Sequence, residues 1–346
     1  MLKSMKVGIL AVAVSSALLL SGCSSSGSGS SATAASAGPA QPGAFCGPTC
    51  KAALALKVNP DTITGKVGLS LNDTSFSYGV AMRNQAEEEV RKYFPKMQLT
   101  VTDGQGNAAK QSNDVDNLVA SGIKVLLISP YEADALVPAI RRAEAAGVKV
   151  VTVDRNANTS VTSYIASNDV DNGKAVGTWM AKQLHGKGKI LEITGTPGAS
   201  PTIARHDGFM EGIKPYPGIK VIASENGDYL KAPALTAMQN LLQRYPAGSF
   251  QAVYVQSDDM AVGVIQAIQE ANRKGIIVGS INGEQIGMDA IKKGQLGATA
   301  VYAVVSREGV MAAAKLLAGE TLPKHIWMTS TLVTKDNVAK YNGQGY

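Results

Sequence analysis

Histidine, cysteine and tryptophan are scarce in this 346-residue chain: three, three and two residues. His185, His206 and His325 stand at no metal-ligand spacing, so no metal centre is expected. Neither a Gly-x-Ser-x-Gly elbow nor a His-Glu-x-x-His run occurs, which removes two common hydrolase signatures. Ser121-Gly122-Ile123-Lys124 fits Ser-x-x-Lys in form only, because it sits at a helix-to-strand turn. Gly104-Gln105-Gly106-Asn107-Ala108-Ala109 fits the dinucleotide fingerprint, but it follows the second strand candidate, whereas the fingerprint belongs after the first. No cofactor is therefore expected. Long charge runs are also missing. Without Lys3 and Lys6 the chain carries 31 basic and 27 acidic residues, a net of +4, and nucleic acid is not an expected partner.

Only one long apolar run exists, and it lies at the N-terminus. Lys3 and Lys6 precede Val7 to Leu20, which is too short for a bilayer-spanning helix of roughly 20 residues. The run reads as a signal-peptide core. It ends in Leu20-Ser21-Gly22-Cys23, which resembles the bacterial lipobox, so Cys23 is the expected lipidation site. Ser24 to Gly43 is almost entirely Ser, Gly, Ala and Pro, a composition that cannot bury a core and reads as a tether. Cys46 and Cys50 form an even pair, which in an exported chain favours a disulfide over free thiols or a catalytic pair.

From Lys66 onward, short Val/Ile/Leu-rich segments alternate with helical ones. Strands are predicted at 66–71, 98–103, 125–129, 149–153 and 162–166, with helices at 77–94, 107–121 and 133–146 between the first four. After Ser167 the pattern restarts. Strands are predicted at 189–194, 220–224, 252–256, 276–281 and 297–301, and helices at 169–186, 232–245 and 260–272. Two rounds of βαβα predict two parallel-sheet lobes, with ligand beyond the carboxyl ends of the strands.

Those ends carry a mixed set: Asn72, Asp73, Thr74, Ser75 and Phe76; Asp154, Arg155 and Asn156; Arg205; Asp228 and Tyr229; Ser257 and Asp258; Asn282; Tyr302. Carboxylates and guanidinium forks bracket vicinal hydroxyls, and aromatic faces pack on the C–H faces of a sugar ring. Each residue also has a structural reading. Asp258 is expected to cap a helix, and Tyr and Phe commonly sit in cores.

Val150-Val151-Thr152-Val153-Asp154-Arg155, Ile165-Ala166-Ser167-Asn168-Asp169, Arg205-His206-Asp207-Gly208-Phe209, Met238 to Leu242 and Gln251 to Ala261 together resemble the ribose-type periplasmic sugar-binding proteins over about residues 65 to 335. The resemblance implies the type I periplasmic binding protein fold: two Rossmann-like α/β lobes joined by a three-crossing hinge, with crossings near Ser167, Tyr302 and Ser330. The expected domains are a lipoprotein signal peptide over 1–23 and a flexible linker holding Cys46 and Cys50 over 24–64. An N-terminal lobe over 65–167 plus 303–330 and a C-terminal lobe over 168–302 plus 331–346 complete the chain.

By the same resemblance, Asp154 and Arg155 grip hydroxyls from the first lobe, and Arg205, Ser257 and Asn282 grip from the second. Asp73 belongs to the expected site, Phe76 and Tyr229 sandwich the ring, and Tyr302 lies near the hinge. Ser75 replaces an aromatic of the ribose binders, Ser257 replaces an Asn and Asn282 an Asp, so a pocket not tuned to ribose is expected. The implied activity is capture of a monosaccharide or polyol for an ABC permease by hinge closure, without catalysis. A monomer anchored outside the cytoplasm is expected. Output to a chemoreceptor or histidine kinase is the alternative, and a hydrolytic lipoprotein enzyme a weaker one.

Overall fold

The computed structural model describes residues 40–341, 343, 345 and 346. The signal peptide, Cys23 and the tether as far as residue 39 lie outside the described residues. The first half runs α1 (Pro48–Leu54), β1 (Gly65–Leu71), α2 (Ser77–Tyr93), β2 (Met97–Asp103), α3 (Ala108–Ala120), β3 (Val125–Ile128), α4 (Val137–Ala145), β4 (Lys149–Val153) and β5 (Ser163–Ser167). The second half runs α5 (Asp169–Gln183), β6 (Lys187–Thr194), α6 (Ser200–Ile213), β7 (Gly218–Asn226), α7 (Lys231–Arg244), β8 (Ala252–Val255), α8 (Asp258–Glu270), β9 (Ile277–Asn282), α9 (Gln285–Lys292) and β10 (Ala298–Val301). The chain then returns through α10 (Ser306–Leu317), β11 (His325–Met328), β12 (Leu332–Thr334) and α11 (Val338–Tyr341).

Two six-stranded sheets result, ordered β11-β5-β4-β3-β1-β2 and β12-β10-β9-β8-β6-β7. Every residue of β3, β8 and β10 is buried, because helices cover both faces of each sheet. This is the two-lobe α/β architecture that the alternation predicts. One strand departs from the all-parallel expectation: β12 pairs antiparallel with β10. The cause is connectivity. β10 leaves the second sheet toward the hinge and β12 comes back from it, so they run oppositely.

The chain passes between the sheets after β5, after β10 and between β11 and β12. The crossings are bonded to one another: Ala303 N–H donates to Ser167 Oγ (3.1 Å), and Val301 N–H donates to the Thr331 carbonyl (2.8 Å). One apolar cluster runs unbroken through this region, from Leu69 and Tyr78 past Tyr302 to Phe209 and Tyr254.

Two sequence expectations need correction. The helix expected from Ala133 begins at Val137. Pro138 suits its first turn, while the Ala133 N–H donates to the Gly198 carbonyl of the other lobe (3.1 Å). The linker expected over 24–64 is not a free tether in its described part. Pro48–Leu54 is helical and lies against β11 and α10. Cys46 and Cys50 are disulfide-bonded and, with Leu54, buried. The Phe45 carbonyl accepts from the N–H (2.7 Å) and hydroxyl (2.8 Å) of Thr329, so this segment lies over the third crossing. A composition dominated by Ser and Gly upstream hid the apolar residues that make it pack.

Candidate functional site

The cleft between the lobes encloses about 390 Å³ of space not filled by atoms, its open mouth included. Three hydrogen bonds cross it: Ala133 N–H to the Gly198 carbonyl (3.1 Å), Asn156 N–H to Ser200 Oγ (2.9 Å) and Ser77 Oγ–H to Glu284 Oε2 (3.1 Å). The walls sit where strands end, as expected for open α/β sheets.

From the first lobe come Phe76, Ser77, Tyr78, Asp154 and Arg155. Asp154 follows β4 with φ +67°, a left-handed backbone that an aspartate tolerates at a cost. Its carboxylate accepts from Ser129 Oγ (2.7 Å) and from the Tyr302 hydroxyl (3.0 Å). Arg155 donates through Nη1 to the Tyr131 carbonyl (2.9 Å), and its Nε lies 3.9 Å from the Asp154 carboxylate.

The second lobe supplies Pro201, Arg205, Tyr229, Ser257, Asp259, Asn282 and Glu284. Arg205 is placed by unusually close helix packing. A Cβ on Gly173 of α5 would lie 2.3 Å from the Arg205 carbonyl oxygen, and one on Gly208 of α6 2.0 Å from that of Val170. Only glycine lets the two backbones meet there. Arg205 thereby donates through Nε to Asp169 (2.7 Å) and through Nη1 to the Gln256 carbonyl (2.6 Å) and Asn282 Oδ1 (3.1 Å). Burial pushes Asp169 up to about 6, against the pull of Arg205.

Asn282 (φ +127°) and Tyr229 (φ +59°) are left-handed as well. Tyr229 fits because residue 195 is Gly: a Cβ there would lie 2.0 Å from its ring. The guanidinium carbons of Arg155 and Arg205 each lie 5.6 Å from the Tyr229 ring centroid, so one ring engages a cation from each lobe. Tyr302, in the second crossing, lies under Arg205 at 4.6 Å and reaches Asp154 with its hydroxyl.

Of the residues expected at the site, Phe76, Asp154, Arg155, Arg205, Tyr229, Ser257, Asn282 and Tyr302 all line this cleft. Asp73 does not. Its carboxylate turns back to accept from the Ser75 N–H (2.8 Å) beside Gly106. Asp258 does not cap α8 either; Ser257 does, accepting from the Met260 N–H. The Asp258 carboxylate instead lies buried among Ser280, Thr299 (2.7 Å) and the Glu284 N–H (2.7 Å). The sequence reading missed Ser77, Tyr78, Pro201, Asp259 and Glu284. Glu284 stands two positions beyond Asn282, so a wider window after each strand end finds it.

The chain matches the periplasmic binding protein domain family over residues 67–321. It is 33% identical over 272 residues to the ribose import binding protein of Salmonella typhimurium, covering 78% of this chain and 90% of that one. Among solved structures it is similar to an ABC transporter solute binding protein from Mycobacterium smegmatis with bound glycerol: 34% identity, TM-score 0.77, covering 82% and 98% of the two chains. It is also similar to the fructose binding periplasmic domain of a hybrid two component system: 28% identity, TM-score 0.77, covering 81% and 94%.

Proposed function

The chain belongs to the periplasmic binding protein family, a class of extracytoplasmic solute-binding receptors, and we propose that it captures a neutral monosaccharide or related polyol and delivers it to an ABC importer. One observation carries the choice of ligand. Asp154 and Arg155 from one lobe, and Arg205 and Asn282 from the other, converge on one cleft with aromatic side chains in its wall. Closure is favoured by ligand because only the closed state lets both lobes contact it. We propose that no bond is made or broken and that the receptor acts as a monomer. The likeness to a sensory fructose-binding domain supports the alternative output, signalling to a kinase, which a transport assay in a permease deletion separates.

We further propose that Asp154, Arg155, Arg205, Ser257 and Asn282 hold the ligand hydroxyls, while Phe76 and Tyr229 pack on its ring. A thermal-shift panel of pentoses, hexoses, furanoses, sugar alcohols and cyclitols tests this reading. Stabilisation by at least one neutral member is expected. Stabilisation only by amino acids or anions overturns it. Cys23 is the proposed lipidation site, so Cys23→Ala should move the protein from the membrane to the soluble fraction. An unmodified Cys23 in the mass spectrum of the membrane-extracted protein refutes the anchor.

A further inference from the structure

Glu284 lines the cleft where its two lobes meet. It is 2% exposed and lines the pocket between Asn282 and Asp259. Its Oε1 accepts from Asn282 Nδ2 (2.7 Å), the amide that also receives Arg205. Its Oε2 accepts from Ser77 Oγ (3.1 Å), the first residue of α2 in the opposite lobe. Its own N–H donates to Asp258 (2.7 Å), so two buried carboxyl groups stand side by side in the second lobe. A single side chain thus touches the Arg205–Asn282 prong, the cavity and the other lobe.

Resting on the receptor reading, we propose that Glu284 is a further specificity-determining residue, one whose carboxyl group both faces the solute and latches the lobes through Ser77. Its surroundings decide its charge. Asp258 and Asp259 face it from α8, Ser77 from α2 and Tyr346 from the C-terminal segment, whose ring packs on Tyr78, while Arg205 reaches it only through Asn282. Burial, then the neighbouring Asp258, pushes the carboxyl group from its ordinary 4.5 up to about 8. Burial also raises Asp258, but its better set of donors holds the rise to about 6, so it gives up its proton before Glu284 does.

A protonated Glu284 offers the solute a donor without a net charge. This suits a neutral hydroxylated molecule and disfavours one that must be met by a full negative charge. Opening the cleft returns Glu284 to water and lowers its proton affinity, so closing takes up a proton. Closure, and with it affinity, is therefore strongest below the ordinary value of 4.5 and falls as pH rises from there to about 8.

The test uses the full mature chain as wild type, E284Q, E284A and S77A. Calorimetry with D-ribose, xylitol and myo-inositol is run at pH 6 and 8.5, and sugar-free melting curves are run from pH 5.5 to 9. For a probe that binds, E284A should lose about 10- to 100-fold in affinity at pH 6, because Asn282 and Ser77 lose their partner. E284Q should bind no more weakly than wild type at pH 6 and hold its affinity at pH 8.5, where wild type weakens, and S77A should bind less tightly than wild type at both. Wild-type affinity in E284A, or parallel weakening of wild type and E284Q with pH, overturns the proposal. Should none of the three probes bind, the solute class is left to the thermal-shift panel and the melting curves decide Glu284. A melting-temperature advantage of E284Q over wild type that grows with pH supports it, since a raised carboxyl loses stability as pH rises; parallel curves refute it.

Discussion

Arg155 and Arg205 approach the same tyrosine ring from different lobes, equally buried, yet the protein holds them in different ways. Arg205 commits its Nε and Nη1 donors to Asp169, Gln256 and Asn282. Arg155 makes one short bond, to the Tyr131 carbonyl, and a loose approach to Asp154. Burial alone therefore does not tell a scaffold residue from a contact residue. The count of donors already satisfied does, because a guanidinium has five N–H groups to place. By this measure the second lobe carries a prebuilt half-site, while the first lobe brings a guanidinium with donors to spare.

The sharpest way to break this contrast is Arg205→Ala. It leaves Asp169 buried without its cation, which should cost about 3–5 kcal/mol of stability and abolish measurable sugar affinity. Urea denaturation and calorimetry report the two losses, and Arg205→Lys should rescue neither because an ammonium cannot span three acceptors. Lost affinity at unchanged stability would show that Arg205 is no scaffold.

Arg155→Ala is the counterpart. It should weaken sugar binding about 10- to 100-fold while lowering stability by about 1 kcal/mol. Comparable stability losses in both arginine variants would erase the distinction. Away from the cleft, replacing Cys46 and Cys50 by Ser should lower stability by about 2 kcal/mol, the chain-entropy value for so short a loop, and leave affinity unchanged. An affinity loss as large as that of Arg155→Ala would place the disulfide in the closing mechanism. The smallest effect belongs to Asp73→Ala. With its carboxylate turned to the Ser75 N–H, it should shift neither affinity nor stability by more than about 0.5 kcal/mol.

Asp73 also marks the limit of what residue order reveals. The strand-end rule found Asp154, Arg155, Tyr229 and Asn282, because strand ends fix position to within a residue or two. It could not see which way a side chain turns, and Asp73 turns back into its own loop. Arg205 was legible as a residue, but the helix carrying it was not. Its close packing on α5, which places Arg205, depends on glycines meeting another backbone, a long-range cause with no local periodicity. Helix α1 escaped for a related reason. Its stability comes from packing on β11 and α10, some 260 residues away in sequence, rather than from its own composition. Glu284 went unread because it stands two residues past the strand end, and its bond to Ser77 of the other lobe is invisible in the local sequence.

The segment leading into α1 passes over the third crossing, where the Phe45 carbonyl is bonded to Thr329, and Gly43 is bonded to Glu308 at the start of α10 (2.7 Å). The chain thus joins the folded body beside the axis about which the lobes turn. A pull transmitted along that end has almost no lever arm. It exerts little torque on either lobe, so tension on anything attached upstream neither pries the cleft open nor holds it shut. Attachment at the rim of one lobe would turn the same pull into work against closure.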